Sequence, residues 1–148
     1  MPYVAVVGPG EAGPDERRIA EEVGLGLARA GAIIVCGGLG GVMAAACRGA
    51  SAAEGTTVGI LPGAERAAAN EWVTIAIPTG LGELRNGLVV RAADVVIAVG
   101  GGYGTLSEVA LALKTGVPVL GIGGWEIEGV EAVDDADQAV ARALELAR

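Results

Sequence analysis

A dense group of glycines, one hydroxyl and one carboxylate lies in the middle of the chain, directly after an unbroken apolar segment. The segment is Val95–Val99, and the residues after it read Gly100-Gly101-Gly102-Tyr103-Gly104-Thr105-Leu106-Ser107-Glu108. Glycines let a backbone approach a ligand closely, and the first N–H groups of a following helix lack internal partners and lie at the positive end of its dipole. The pattern predicts a phosphate-binding loop formed by Gly101, Gly102, Gly104 and Thr105, with Glu108 close to whatever the phosphate carries.

The same residues allow a purely structural interpretation. Thr105-x-x-Glu108 matches a capping box, in which two side chains satisfy free N–H groups at a helix start. The helix that follows is predicted over Val109–Thr115. The ligand interpretation is favoured because a cap does not explain so many preceding glycines.

Two other glycine-rich loops also follow apolar strands. The first spells the dinucleotide fingerprint G-x-G-x-x-G at Gly8, Gly10 and Gly13. An NAD site also needs an acidic residue at the tip of the second strand, but Ala32–Cys36 runs straight into Gly37–Gly41. We therefore interpret both loops as neighbours of a ligand other than NAD. The loop residues predicted to contact this ligand are Gly8, Gly10, Gly37, Gly38, Gly40 and Gly41.

Composition limits the partners. The 148 residues predict one domain, 1–148, and carry a net charge of −8 without a Lys/Arg cluster. This argues against a nucleic-acid polymer or an anionic membrane as partner, whereas a small phosphorylated ligand can still use loop N–H groups and one or two arginines. With no His, and with Cys36 and Cys47 outside any metal-binding spacing, we expect neither a metal site nor a resident cofactor.

Localisation and thiol chemistry follow from the same sequence. The chain begins with a strand-like segment instead of a charged leader, and no apolar run approaches the length of a membrane span. We expect a cytoplasmic protein in which Cys36 and Cys47 are small buried residues, not a disulfide.

Apolar runs alternate with helical patterns along the whole chain. This predicts an α/β fold: a doubly wound, mainly parallel Rossmann-like sheet with helices on both faces. The predicted strands are Tyr3–Val7, Ala32–Cys36, Thr56–Leu61, Trp72–Ile77, Val95–Val99, Pro118–Ile122 and an edge strand within Ile127–Val133. The other predicted helices are Pro14–Ala30, a thin alanine-rich Val42–Glu54, Thr79–Ala92 with Leu81, Leu84 and Leu88 on one stripe, and Asp134–Arg148 capped by Asp134 or Asp135.

The central motif and its companions resemble those of the "lonely guy" (LOG) family, once described as possible lysine decarboxylases and now associated with cytokinin riboside 5′-monophosphate phosphoribohydrolases. Gly100–Glu108 resembles the family's PGGxGTxxE motif, Gly37–Met43 its other glycine-rich stretch, and Arg85-Asn86 lies where its Arg-Lys pair lies. Gly100 replaces the motif's proline and Asn86 replaces the lysine. Together with Leu84, the pattern most resembles a small Rossmann-like branch that includes the molybdenum cofactor carrier proteins.

The resemblance implies roles and two alternative functions. Arg85 and Glu108 would be the catalytic pair, and Asn86 would join the nucleotide-binding residues. One function is a carrier or sensor of a phosphorylated nucleotide or pterin; the other is a phosphoribohydrolase that cleaves the N-glycosidic bond of a nucleoside monophosphate. A pyridoxal-phosphate lysine decarboxylase is disfavoured because Lys114 is the only lysine. The resemblance also implies a homodimer or homotetramer.

Overall fold

A computed structural model describes residues 1–147. Within this range, strands and helices alternate as the sequence predicts. They are β1 (Tyr3–Val7), α1 (Pro14–Arg29), β2 (Ile33–Cys36), α2 (Val42–Ala52), β3 (Thr57–Leu61), β4 (Ile75–Pro78), α3 (Asn86–Arg91), β5 (Val95–Val99), α4 (Tyr103–Lys114), β6 (Val119–Ile122), β7 (Val130–Ala132) and α5 (Ala136–Leu146).

The strands form one sheet in the order β4-β3-β2-β1-β5-β6-β7, and all the neighbouring strands pair in parallel. Strand order reverses between β1 and β5, where Val4 lies opposite Val95 and Val7 opposite Ala98. In a sheet of this kind, ligands bind beyond the carboxyl ends of the strands at the reversal. The doubly wound Rossmann-like prediction is confirmed, and β7 is the expected edge strand.

Helices cover both faces of the sheet because successive residues of the buried strands point to opposite sides. In β1, Val4 and Val6 pack with α1, α2 and α5 on one face. Ala5 and Val7 pack with α3 and α4 on the other face. The core is therefore built from aliphatic side chains.

The alanine-rich α2 packs tightly against α1 as well as against the sheet. A Cβ atom on Gly49 would lie 2.0 Å from the carbonyl oxygen of Glu21, and one on Gly24 would lie 2.0 Å from that of Ala46. These two glycines let the helix backbones touch. The contact fixes α2, which follows the second glycine-rich loop.

Two predicted helix boundaries are wrong. The helix expected over Thr79–Ala92 is a short 3-10 turn, Gly82–Arg85, followed by α3, because Gly80 and Gly82 have positive φ angles of 66° and 61° that an α-helix excludes. Its predicted leucine stripe is consequently exposed to solvent. The helix expected over Val109–Thr115 begins six residues earlier, at Tyr103.

The structure also bears on the predicted cap of α5, the two cysteines and the absence of a membrane span. The Asp135 side chain caps α5 by accepting a hydrogen bond from the backbone of Gln138. Cys36 and Cys47 are both buried as free thiols, with their Sγ atoms 3.6 Å apart. No helix among residues 1–147 combines the length and apolar character needed to cross a membrane.

Candidate functional site

A cavity of about 850 Å³ lies at the carboxyl ends of β1 and β5, where strand order reverses. Residues from the first and third glycine-rich loops meet there with residues around the start of α3. The predicted site residues that line the cavity are Gly8, Gly10, Arg85, Asn86, Gly102, Gly104, Thr105 and Glu108.

The other predicted glycines lie around the cavity without lining it. Gly37 supports the site, because a Cβ there would lie 2.6 Å from Nη1 of Arg85. Gly38 packs against β3, while Gly40 and Gly41 pack against the Gly8–Gly10 loop. Gly101 lies beneath the indole of Trp125. These glycines shape the wall by letting backbones and side chains approach closely.

The start of α4 forms one wall of the cavity. Gly102 occupies the N-cap position, so Thr105 and Glu108 lie inside the helix, and the capping-box interpretation is wrong. The first N–H groups of a helix have no partner within it. Thr105 is 3% exposed, and its Oγ1 has no hydrogen-bond partner in the described chain. A buried hydroxyl without a partner costs free energy unless a ligand satisfies it.

Arg85 brings a positive charge into the same cavity. Its side chain is buried, and its Nη1 donates a 2.5 Å hydrogen bond to Oδ1 of Asn86. Its Nε has no partner within residues 1–147, and none of the ion pairs found there involves Arg85. A buried guanidinium is costly unless an anion pairs with it. The cavity therefore suits a ligand that supplies one.

A chain of hydrogen bonds links Arg85 to the phosphate loop. Asn86 donates from Nδ2 to Oγ of Ser107 over 3.1 Å, and Ser107 donates to the carbonyl oxygen of Gly104 over 2.7 Å. Asn86 thus holds the guanidinium from one side and the first turn of α4 from the other. At this position the LOG family resemblance places a lysine, which could not accept a hydrogen bond from Arg85.

Glu108 is buried one helical turn beyond Thr105, on the same wall. Burial raises the pKa of its carboxyl group to about 7, and the charge of Arg85 opposes this rise only in part. Near neutral pH, Glu108 can therefore donate or accept a proton. Such a group suits general acid–base chemistry, and it can also hydrogen-bond a ligand in its neutral form.

Gly100 departs from the proline of the LOG motif for a reason of backbone conformation. Its φ angle is +72°, which proline cannot adopt. A Cβ at this position would also lie 1.7 Å from a carboxylate oxygen of Glu16. Glu16 in turn accepts a hydrogen bond from the backbone N–H of Gly13, so it connects the first loop with the third.

Several apolar residues line the cavity although no contact with a ligand is predicted for them from the sequence. These residues, here called the apolar wall, come from separate loops and turns, and spacing along the chain does not predict that they meet. Its members are Leu39, Met43, Pro62, Leu81 and Leu84. Tyr103, which also lines the cavity, could have been found because it stands inside the glycine-rich motif.

Comparisons with known proteins agree with this fold. A protein of Archaeoglobus fulgidus, described only as uncharacterized, is 41% identical over 93% of this chain and 91% of its own. The molybdenum cofactor binding protein of Rippkaea orientalis has a TM-score of 0.93 and 38% identity, with 98% and 96% of the two chains covered. The molybdenum cofactor carrier protein of Chlamydomonas reinhardtii has a TM-score of 0.88 and 35% identity, with 98% and 97% covered. The model of the SLOG cluster4 family matches residues 1–147, and the chain therefore belongs to this family.

Proposed function

We propose that the chain is a carrier that binds a phosphorylated ligand of the molybdenum-cofactor or nucleotide type without transforming it. The phosphate of this ligand would lie against the N–H groups at the start of α4, and Thr105 and Arg85 would donate hydrogen bonds to it from their side chains. Asn86 would hold Arg85 in place. Gly8, Gly10, Gly102 and Gly104 would leave room for the ligand at the backbone.

One observation carries this proposal: Arg85 and Thr105 both line one cavity, and the buried Nε of Arg85 and Oγ1 of Thr105 lack partners within the described residues. Charge-assisted hydrogen bonds from arginine and from a helix N-terminus are a common way to bind phosphate. The chain is strongly acidic overall, with a net charge of −8, so an unpaired buried cation is conspicuous. An anionic ligand would remove the cost of burying both groups.

The structural relatives support the same kind of ligand. Two of them are a molybdenum cofactor binding protein and a molybdenum cofactor carrier protein, and each covers nearly the whole chain. The cavity of about 850 Å³ is within the range that holds a cofactor-sized ligand. A pterin phosphate therefore fits the proposal at least as well as a nucleoside monophosphate.

A second function is favoured by Glu108. A carboxyl group with a pKa of about 7 in a cavity with a buried arginine could assist hydrolysis of an N-glycosidic bond. In that reaction water adds to the anomeric carbon, the bond to the base breaks, and the base takes up a proton. Incubation with AMP would then release adenine, and Glu108→Gln would stop the release.

The proposed assembly is a homodimer or homotetramer. Apolar side chains of β4, the Gly82–Arg85 turn, α3 and α4, here called the α3–α4 face, stand in solvent, and Leu84 is 79% exposed. The others in this group are Ile75, Ile77, Leu88 and Leu111. Exposed apolar side chains that gather into one patch are typical of a protein–protein interface.

The carrier function is tested by what the protein retains from a cell that makes molybdenum cofactor. We expect mass spectrometry under native conditions to find a bound pterin phosphate, and elemental analysis to find molybdenum. Arg85→Met should retain neither, whereas Arg17→Met, which removes an exposed arginine of α1, should retain both. Wild-type protein free of pterin, nucleotide and molybdenum would contradict the proposal.

A further inference from the structure

Tyr103 has an unusual position within the glycine-rich motif. It is the first residue of α4, and its side chain is 86% exposed although the residue lines the cavity. The neighbouring Gly102 and Gly104 have no side chains that could cover the ring. An aromatic face is therefore available to the cavity directly beside the N–H groups proposed to bind phosphate.

Trp125 fixes the surroundings of this ring. Its Nε1 donates a 3.0 Å hydrogen bond to the carbonyl oxygen of Gly102, and the indole covers Gly101. The ring centroids of Tyr103 and Trp125 lie 6.2 Å apart with an interplanar angle of 33°, which is a favourable aromatic contact. Trp125 thus supports Tyr103 from one side and leaves the rest of the ring open.

We propose that Tyr103 is the stacking platform for the planar heterocycle of the ligand, and that Trp125 is a positioning residue for this platform. The inference rests on the proposed function and adds a specificity determinant to it. The phosphate would anchor the ligand at the loop, while the heterocycle would lie between Tyr103 and the apolar wall. The ligand class is therefore a phosphate ester that carries a flat aromatic ring, such as a purine or a pterin.

A purely structural role for Tyr103 agrees less well with the same observations. Tyr103 is not needed for the fold, since most of its side chain lies in solvent. Stacking tolerates any flat ring, so the site would accept both purines and pterins, whereas a sugar phosphate alone would use only the loop. The cavity thus has separable phosphate and ring sites.

The test compares two probes that differ only in the heterocycle, AMP and ribose 5-phosphate. Binding of each is measured by calorimetry for wild type, Tyr103→Leu and Tyr103→Phe. We expect Tyr103→Leu to weaken AMP binding about tenfold, the loss of one base–aromatic contact, and to leave ribose 5-phosphate binding unchanged. Tyr103→Phe, which keeps the ring, should bind both probes as the wild type does.

Three outcomes would overturn the inference. Equal losses for both probes in Tyr103→Leu would assign Tyr103 to the phosphate loop instead. Unchanged AMP binding together with a smaller oligomer would assign its ring to a subunit contact. A wild type that binds neither probe would also overturn the inference, and the cofactor-retention experiment then decides the proposed function separately. The first two outcomes leave the proposed function intact, so the two failures are distinguishable.

Discussion

Arg85 and Glu108 share one cavity, and the charge of Arg85 acts on the ionisation of Glu108. Glu108 is 6% exposed, and burial disfavours its ionised form more than Arg85 favours it. A neutral Glu108 leaves the guanidinium free to bind an external anion. An ionised Glu108 would compete with that anion for Arg85. We therefore expect phosphate to bind more tightly when Glu108 is protonated than when it is ionised.

Glu108 should make the protein less stable as pH rises. Its pKa is about 7 in the folded state against 4.5 for the free side chain, so the folded state binds more protons between these values. The contribution of Glu108 to the free energy of unfolding is therefore greatest below pH 4.5. It falls by roughly 3 kcal/mol as the pH rises from 4.5 through 7. Glu108→Gln should raise the melting temperature at pH 8 and have little effect at pH 5.

The matched control for this melting experiment is Glu83→Gln, which changes an exposed carboxylate in the wall of the same cavity. Its melting temperature should follow the wild type at both pH values. Parallel melting curves for wild type and Glu108→Gln from pH 5 to 8 would show that Glu108 titrates normally.

Residues that share one short motif are the ones whose meeting at the cavity the sequence predicts, although their roles toward a ligand stay predictions. Gly102, Gly104, Thr105 and Glu108 stand in one short motif, and the structure places all of them on the cavity. Spacing along the chain gives Arg85 no special role, and only the family resemblance marks it as a site residue. Its burial depends on the missing Cβ of Gly37, which is distant in the sequence and carries no local signal.

At the level of elements, strands were easier to predict than helix starts. Buried parallel strands read as continuous apolar runs, so β1, β5 and β6 lie where the hydrophobic pattern indicates. The start of α4 was missed because Gly104 weakens the helical pattern in its first turn. The start of α3 was missed because the apolar spacing continues through Gly80 and Gly82, whose conformations interrupt the helix.

The close contact of α1 and α2 gives a stability prediction. Gly49→Ala should cost several kcal/mol or abolish folding, because the new methyl group would meet the backbone of Glu21. Gly87→Ala in α3 is the control, since the nearest atom to its new Cβ would be 3.9 Å away. This control should gain up to about 1 kcal/mol from the better helix propensity of alanine. Chemical denaturation measures the free energy of unfolding of both variants. Equal values for Gly49→Ala and Gly87→Ala would contradict the packing described.

At the level of the whole molecule, the parallel sheet explains why distant motifs meet. All carboxyl ends lie at one edge, and the reversal between β1 and β5 opens a crevice there. The alternation of strands and helices was enough to predict this convergence. It was not enough to predict which glycines face the cavity, because that depends on how neighbouring loops pack against each other.

The exposed α3–α4 face should hold copies of the chain together. Leu111→Glu places a charge in this patch, and we expect it to shift a wild-type dimer or tetramer toward monomer in analytical ultracentrifugation. Ala141→Glu adds the same charge to an exposed position of α5, on the other side of the sheet, and should leave the assembly unchanged. A wild type that sediments as a monomer would refute the assembly.

The most direct test of the account is a calorimetric titration with inorganic phosphate of wild type, Arg85→Met and Thr105→Val. Thr105→Val removes a buried hydroxyl without a partner in the described chain, so its thermal stability should be kept or raised. We predict saturable binding to wild type, about tenfold weaker in Thr105→Val and weaker still in Arg85→Met, since a bond to a charged group contributes more. Phosphate affinity that is absent in wild type, or equal in all three folded proteins, would contradict the proposal that these two side chains bind the phosphate of the ligand.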